Sequence, residues 1–439
     1  MAIDRNTGIR VLVVSANPFS DVNNNGKTLK SIFSAFPKDS LFEFYTRPQD
    51  NVIGDGTYAK SYYAVSESDI IRSLLHCSKK CGGVQVFETE RNLQLANDKI
   101  YRGFLKGRLK KVRWLRSLLW KTRRWDNADF REWYTSCEPD IVFALLGGPG
   151  ACFTIAQEIS SRLNIPLAVY FTDDYLIHWP AHSWMDRIRR RKDAKAFRQL
   201  VAHSSIGFCI GEMMCAEYSS YFGKRFYPIM NSVEIKPFSY VRPGNQLPRI
   251  SYFGSLWLDR WRMLRRLAAS VSGIAEIRVY SGNELTPEME RAFHESGIHF
   301  EKAVTGEAYR DAVSQSDVLL HVESDSRENR AKTALSISTK IPDYLASGKP
   351  VLAYGPVEVA SFRLLKDNAI GFVLSSEDTP EVCRQAVASF LSDASLQQSY
   401  AERGYAFAEA NFDRQKISAR VRELLTDVVN GSVSPSDGK

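Results

Sequence analysis

The sequence predicts an α/β protein made of two successive doubly wound domains that face each other across a cleft. Short apolar runs typical of buried parallel strands alternate with helical patterns along most of the chain. A length of 439 residues exceeds what a single ordinary core accommodates. A polar stretch rich in proline and glycine, residues 242–249, separates the two series and is the expected linker.

The first series opens with the apolar run Val11–Val14, then a polar loop and a helix from about Thr28. Residues 140–144, a glycine turn, a helix and residues 167–171 form a further βαβ unit. That last strand ends in Asp173-Asp174. Because open parallel sheets bind ligands beyond the carboxyl ends of their strands, both acids are expected at a ligand crevice.

The loop before the first helix ends in Asn23-Asn24-Asn25-Gly26, small residues that let backbone N–H groups approach an anion or a sugar. An ordinary turn and helix cap would use the same residues. Gly26-Lys27-Thr28 also ends like a phosphate-binding P-loop, but Asp21 stands where that motif requires its first glycine. A nucleoside triphosphatase is therefore disfavoured.

The second series has expected strands at 250–253, 277–280, 318–322 and 351–353. We expect an N-terminal domain over 1–240 and a second domain over 241–412. An amphipathic helix over 413–430 is expected to pack back on the first domain, followed by a disordered tail over 431–439.

The most informative segment is Ser338–Pro356. It predicts a helix with Lys340 and Asp343 three residues apart, a stop at Gly348, a short apolar strand and the turn Gly355-Pro356. Such an edge faces the nucleotide in many α/β enzymes. The alternative is a capped helix that leads into a core strand.

These segments resemble the GT-B nucleotide-sugar glycosyltransferases, in particular the retaining glycosyltransferase family 4. The motifs that carry the resemblance are Met230–Val233, Tyr252–Leu256, Ser316–Glu323 and Ser338–Pro356. Their order and spacing extend the likeness over nearly the whole chain. The resemblance implies two Rossmann-like domains, of which the second binds the nucleotide.

By position, Asp343 replaces the family's second glutamate, whose carboxylate accepts hydrogen bonds from ribose. Leu335 stands where the first glutamate is expected and cannot bond a sugar. Glu323 is the best substitute, although a solvated loop acid is the alternative. Ser255 and Arg260 occupy the positions of the family's diphosphate-binding arginine and lysine.

The resemblance places Asp173, Asp174 and His178 beside the acceptor, while helix capping and packing are the alternatives. The predicted catalytic residues are Asp173, Asp174, His178 and Glu323. The predicted nucleotide-binding residues are Gly26, Gly254, Ser255, Arg260, Gly282, Lys340, Asp343, Tyr344, Gly355 and Pro356. For Arg260 a surface arginine is the alternative, and for Lys340 an ordinary helical ion pair with Asp343.

The function implied is transfer of a sugar from a nucleotide diphosphate donor to a hydroxyl of a glycan or lipid-linked acceptor, with retention. Surface polysaccharide synthesis is the expected setting. No cofactor or metal is expected. The rivals are an epimerase or phosphorylase on the same scaffold, and a non-catalytic membrane-associated subunit.

The net charge of +8 is concentrated in two segments. Residues 102–124 carry ten basic and no acidic side chains, with leucines at helical spacing and interleaved tryptophans. Residues 187–192 form a second basic cluster behind Trp179 and Trp184. Both suit an anionic membrane surface, while a merely solvated basic face is the alternative. No nucleic-acid-binding motif is present, so nucleic acid is not an expected partner.

Bulk composition predicts a cytoplasmic protein, with a peripheral position on the inner membrane face left open by the basic segments. No apolar run of about 18 residues occurs, and no signal-peptide pattern precedes the first strand. Seven scattered cysteines favour reduced thiols. His76, Cys77 and Cys81 lie together, but no second ligand pair follows at zinc-site spacing, so no metal site is predicted.

Overall fold

The computed structural model describes residues 8–20, 24–47, 58–76, 80–85, 116, 118–147 and 150–432. It divides into two compact units, each built on one sheet, which confirms the predicted α/β class. Unit 1 comprises Met1–Thr172, Ala181–Ile229 and Gln415–Lys439; unit 2 comprises Asp173–Pro180 and Met230–Arg414. The sequence-based boundaries at 240 and 412 stay predictions, and residues 433–439 of the expected tail lie outside the described residues.

The described residues of unit 1 form an eight-stranded sheet in the order β4-β3-β2-β1-β5-β6-β7-β8, parallel except for the β3–β4 pair. Its elements are β1 (Val11–Ser15), α1 (Asn24–Ile32), a 3₁₀ turn (Lys38–Ser40), β2 (Leu41–Tyr45), β3 (Ser61–Ala64), α2 (Glu67–Leu74), β4 (Gly83–Val84), α3 (Ala128–Ser136), β5 (Ile141–Leu146), α4 (Ala151–Leu163), β6 (Leu167–Phe171), α5 (Trp184–His203), β7 (Ile206–Cys209), α6 (Glu212–Phe222) and β8 (Phe226–Pro228). The direction of winding reverses between β1 and β5.

Unit 2 contains an all-parallel, six-stranded sheet in the order β11-β10-β9-β12-β13-β14. Its elements are β9 (Arg249–Phe253), α7 (Arg260–Ser270), β10 (Glu276–Ser281), α8 (Pro287–Glu295), β11 (His299–Lys302), α9 (Gly306–Ser314), β12 (Val318–Val322), α10 (Arg327–Thr333), α11 (Lys340–Ala346), β13 (Val351–Gly355), α12 (Ala360–Asp367), β14 (Phe372–Ser375), α13 (Pro380–Ser392) and α14 (Ala394–Asn411). Here the winding reverses between β9 and β12.

Local sequence signals start several helices of unit 2. The hydroxyls of Thr286 and Thr379 accept hydrogen bonds from backbone N–H groups in the first turns of α8 and α13. In both helices proline follows at the first position, where its missing N–H costs nothing. These boundaries are therefore set by residues next to each other in the chain.

The last helix, α15 (Arg414–Val429), packs within unit 1. Val421, Leu425 and Val428 join the hydrophobic cluster beneath the first sheet. The Ser418 hydroxyl donates to the carbonyl of Ile32 at 2.6 Å and accepts from the N–H of Ala35 at 2.8 Å. Unit 1 is thus completed by a segment almost four hundred residues from its first strand.

Gly26, predicted to bind the nucleotide, lies at the start of α1 against the β1–α1 loop. A Cβ atom there would stand 2.5 Å from the carbonyl oxygen of Pro18 and 2.6 Å from the Cβ of Ser20. The loop is held on its other side by Glu43, whose carboxylate accepts the N–H of Phe19 at 3.0 Å. Glycine at this position is required by close packing of the loop on the helix.

No helix in the described part of the chain is both long enough and apolar enough to cross a membrane.

His321 is buried near the carboxyl end of β12 in unit 2, where its Nε2 lies 3.0 Å from the hydroxyl of Ser361. Burial, reinforced by the charge of Arg260, lowers the pKa of this imidazole to about 3. Below about pH 6.5 the unfolded chain therefore binds a proton at His321 that the folded chain does not bind. Unit 2 should lose stability as the pH falls below that value.

We expect His321→Gln to flatten this acid dependence. Between pH 6.5 and 4.5, His321 lowers the free energy of unfolding of the wild type by about 1.4 kcal/mol for each unit by which the pH falls. The variant should not show this contribution. Urea unfolding across that range measures the slope. His299→Gln, at an exposed histidine of β11, is the matched control. An unchanged slope in His321→Gln would contradict the assignment.

Candidate functional site

The candidate site lies in unit 2 at the carboxyl edge of its sheet, where winding reverses between β9 and β12. The chain leaves β9 through Gly254 and a loop that enters α7 at Arg260, and it leaves β12 directly at Glu323. Open α/β sheets bind ligands at such a switch point because loops diverge there and leave a crevice.

Arg260 and Glu323 form a two-pronged ion pair across this reversal. The arginine Nε donates to Oε2 at 3.0 Å and Nη2 donates to Oε1 at 2.9 Å. Burial disfavours the guanidinium charge, but Glu323 outweighs it and raises the pKa of Arg260. Burial also raises the pKa of Glu323, against the opposing effect of Arg260. Within the described residues Nη1 makes no hydrogen bond, so this nitrogen remains able to donate.

The loop between β9 and α7 holds two non-glycine residues in left-handed backbone conformations. Leu258 has a φ of 59° and Asp259 a φ of 58°. Two hydrogen bonds fix the loop: the N–H of Leu256 donates to Asn283 at 2.8 Å, and Asn329 donates to the carboxylate of Asp259 at 2.9 Å. Backbone strain of this kind persists where surrounding contacts overdetermine it, often at functional sites.

Asp173 belongs to the same charge cluster. Its carboxylate accepts hydrogen bonds from the hydroxyl of Ser336 at 2.9 Å and of Tyr175 at 3.2 Å. Burial raises its pKa, while those two hydroxyls and then Arg260 oppose the shift. The structure therefore brings three of the predicted residues, Asp173, Arg260 and Glu323, into one electrostatic group with two acids and one base.

Asp174 and His178 are placed differently. The buried carboxylate of Asp174 accepts backbone N–H groups of Leu176, Ile177 and His178 at 2.8, 2.9 and 2.8 Å. This geometry corresponds to the capping alternative, because the carboxylate closes the turn after β6. The His178 side chain is exposed. A catalytic role for either residue stays a prediction.

Tyr344, predicted to contact the nucleotide, is buried at the core side of α11. Its hydroxyl accepts the N–H of Phe253 at 3.0 Å and donates to the Phe253 carbonyl at 3.2 Å. The tyrosine thus ties α11 to the end of β9, and its hydroxyl is occupied by backbone. Lys340 and Asp343 are half-buried residues of the same helix, while Leu335 is fully buried.

The predicted glycines of this edge differ in how tightly they are packed. A Cβ on Gly355 would lie 2.7 Å from the Glu323 carbonyl oxygen, so glycine lets the ends of β13 and β12 approach. A Cβ on Gly254 would lie 2.7 Å from the hydroxyl of Tyr252. At Gly282 the nearest atom would be 3.8 Å away, which is ordinary contact.

The two other predicted residues also have structural contacts. The carbonyl of Ser255 accepts the Tyr252 hydroxyl at 2.7 Å, and its Oγ accepts the N–H of Trp257 at 3.2 Å. Pro356 is buried. Both shape the edge, and their nucleotide contacts stay predictions.

Sequence reasoning missed Ser336, Asn329 and Tyr309. Ser336 meets Asp173 across 163 residues of chain, and Asn329 meets Asp259 across 70. A serine beside a buried leucine and an asparagine in a short helix carry no motif. Only the fold identifies their partners.

No group of three or more histidine, cysteine, aspartate or glutamate side chains is arranged to hold a metal in the ranges that the structure describes. Cys81 is buried, and burial raises the pKa of its thiol to about 12. Cys77 lies outside the described residues. Metal independence stays a prediction.

No protein-family model and no curated protein sequence matches the chain. Solved structures do. The Anabaena protein HepE in complex with UDP and glucose aligns with a TM-score of 0.61 at 12% identity, covering 95% of this chain and 100% of that one. WaaG, a glycosyltransferase involved in lipopolysaccharide biosynthesis, aligns with a TM-score of 0.53 at 13% identity, covering 96% of this chain and 100% of that one. A glycosyltransferase from Rickettsia africae aligns with a TM-score of 0.59 at 11% identity, covering 96% of this chain and 99% of that one.

The chain has the GT-B fold. The fold that the resemblance predicted is confirmed, over almost the full length of both chains. At identities this low the likeness establishes the GT-B fold alone. Membership of glycosyltransferase family 4 within that fold stays a prediction.

Removing Glu323 should destabilise unit 2, because Arg260 would be left as a buried charge without its partner. We expect Glu323→Ala to lower the free energy of unfolding by about 3 kcal/mol. The double variant Arg260→Met/Glu323→Leu should recover most of that loss. Urea unfolding, with hydrogen exchange of α7 and β12 to localise the effect, measures both.

Arg262→Ala provides the control on the same helix, since its pair with Glu288 is exposed and should contribute less than about 1 kcal/mol. Equal small losses for Glu323→Ala and Arg262→Ala would show that the ion pair does not hold the edge together.

Proposed function

We propose that this protein is a glycosyltransferase that moves a sugar from a nucleotide diphosphate donor to a hydroxyl acceptor, and that unit 2 binds the donor. The observation that carries the proposal is the oriented guanidinium of Arg260 at the switch point, with Nη1 available as a donor. The GT-B fold supports it. HepE, which shares that fold, was crystallised with UDP and glucose.

The chemistry requires positive charge where the nucleoside diphosphate departs. Arg260 supplies a fixed cation, and it lies in the first turn of α7, where backbone N–H groups also favour an anion. Lys340 adds a second cation from α11. Because part of the site is buried, these interactions stabilise the developing charge more strongly than they would in water.

Asp343 is proposed to accept hydrogen bonds from the ribose hydroxyls. Glu323 is assigned to positioning, because both of its oxygens face Arg260. Asp173 remains the carboxylate best placed to orient the acceptor hydroxyl. The acceptor oxygen would bond to the anomeric carbon as the bond to the phosphate oxygen breaks, and its proton would pass to an oxygen of that phosphate. We propose retention of configuration.

A thermal-shift panel of UDP, GDP, ADP, CDP and dTDP tests donor binding. A diphosphate present at a hundred times its dissociation constant should stabilise the protein by about 2.7 kcal/mol. Asp343→Ala should weaken the best ligand roughly tenfold, whereas Asp367→Ala, at an exposed aspartate of α12, should not.

If none of the five diphosphates shifts the melting temperature, the transferase proposal fails and a non-catalytic subunit is favoured. Consumption of the nucleotide sugar without any acceptor would favour the epimerase or phosphorylase.

We also propose that unit 1 docks on an anionic membrane surface, at the inner face of the cell membrane, through the first half of α5. Trp184, Met185 and Ile188 are 68%, 64% and 43% exposed there. The second half of the helix is instead held in the unit by buried apolar side chains. The exposed basic residues around the apolar patch are Arg187, Arg189, Arg191, Lys192 and Lys195. Apolar side chains inside a basic rim suit anionic lipid.

The described part of the other basic segment, 102–124, makes structural contacts within unit 1. Trp120 and Trp125 are buried in unit 1, so they are not lipid contacts. Trp120 and Arg116 both donate to the buried carboxylate of Glu67, at 2.9 and 2.6 Å. Residues 102–115 and 117 lie outside the described residues. A membrane location would suit a lipid-linked glycan as acceptor.

Vesicle flotation tests the membrane proposal. The protein should float with vesicles containing phosphatidylglycerol, and binding should weaken as salt rises. The triple variant Trp184→Ser/Met185→Ser/Ile188→Ser should float far less. Trp257→Ser, at an exposed tryptophan of unit 2, should float like the wild type. If the wild-type protein stays in the bottom fraction at low salt and does not float with the vesicles, the membrane proposal is refuted.

A further inference from the structure

Tyr309, on α9 of unit 2, has a buried hydroxyl that makes no hydrogen bond within the described residues. Buried polar atoms without a partner are uncommon because each forfeits its hydration. Phenylalanine would fill the same space at no such cost. The hydroxyl therefore requires a partner that the described part of the chain does not supply.

The surroundings of Tyr309 are residues already placed at the nucleotide edge. Its ring meets the ring of Phe253, the last residue of β9, edge-on at 5.0 Å. The ammonium of Lys340 lies 5.3 Å from the ring centroid. Burial, and then the negative charge of Asp343, raise the pKa of Tyr309. The phenol is thus a neutral donor beside a carboxylate and a cation that are both assigned to the donor substrate.

Tyr344 shows what a structural tyrosine does in the same cluster. Its hydroxyl finds both a donor and an acceptor in the backbone of Phe253. Tyr309 packs against the same phenylalanine but pairs with neither group. Its hydroxyl is therefore not needed to join these elements.

We propose that the Tyr309 hydroxyl hydrogen-bonds to the nucleoside part of the donor, next to the ribose site at Asp343, and so helps to select the nucleotide. This inference rests on the proposed function. A neutral phenol suits a hydroxyl or carbonyl of the nucleoside, whereas the diphosphate is served by Arg260 and Lys340. Binding of the donor would have to uncover this buried hydroxyl.

Tyr309→Phe tests the inference, with Tyr344→Phe as the structural control. Titration calorimetry would use the diphosphate with the largest thermal shift, and pyrophosphate as a probe without a nucleoside. Tyr309→Phe should weaken the nucleotide about tenfold, leave pyrophosphate affinity unchanged, and keep or raise the melting temperature of the free protein. Tyr344→Phe should lower that melting temperature.

The outcomes separate the inference from the proposed function. Wild-type protein that binds no nucleotide diphosphate overturns both. Wild-type protein that binds one, with Tyr309→Phe binding it equally well, overturns the inference alone. If Tyr309→Phe lowers the melting temperature as much as Tyr344→Phe does, the hydroxyl is structural and the inference fails. If Tyr309→Phe weakens pyrophosphate binding as much as nucleotide binding, the hydroxyl contacts the phosphates and the nucleoside assignment fails.

Discussion

The ion pair between Arg260 and Glu323 is the interaction on which the candidate site depends. It joins the start of α7 to the end of β12 across the only reversal of winding in the second sheet. An unpaired charge at either position would cost several kcal/mol, so the two chain segments are held together wherever the unit is folded. The same pairing leaves Nη1 outside the two hydrogen bonds to the carboxylate, and this is the nitrogen that we propose binds phosphate.

Around this pair, the edge combines rigid and unsatisfied groups. The left-handed residues Leu258 and Asp259 store strain, and contacts from Asn283 after β10 and from Asn329 in α10 counteract it. Asp173 adds a second acid to a cluster with one base, and burial raises its pKa. Tyr309 retains a hydroxyl for which the described residues offer no partner. A fully satisfied edge would be more stable but would offer a ligand fewer groups to bind.

Much of the architecture was predictable, because periodic apolar runs and cap residues act over a few positions. The strands β1, β5 and β6 of the first sheet and β9, β10, β12 and β13 of the second follow from such runs. Thr286 and Thr379 mark helix starts by neighbouring residues. The candidate site was predictable where a residue directly follows a strand, as Glu323 does, or occupies a motif position of the resemblance, as Arg260 does. Tyr344 was predicted to bind the nucleotide, and only the structure shows that its side chain is buried and that its hydroxyl bonds to the backbone of Phe253. Ser336 has no local signal, since its partner Asp173 lies 163 residues away.

By itself the sequence determined the α/β class, the resemblance to GT-B transferases and the chain positions at which loops leave parallel strands. These depend on side-chain periodicity and on short motifs, which are local properties. Only the tertiary structure decided that Arg260 pairs with Glu323, that Asp174 closes a turn, and that the Tyr309 hydroxyl has no partner among the residues described. The physical reason is that burial and partner choice arise from contacts between residues distant in the chain, and the energetics of a charge or a hydroxyl follow from those contacts.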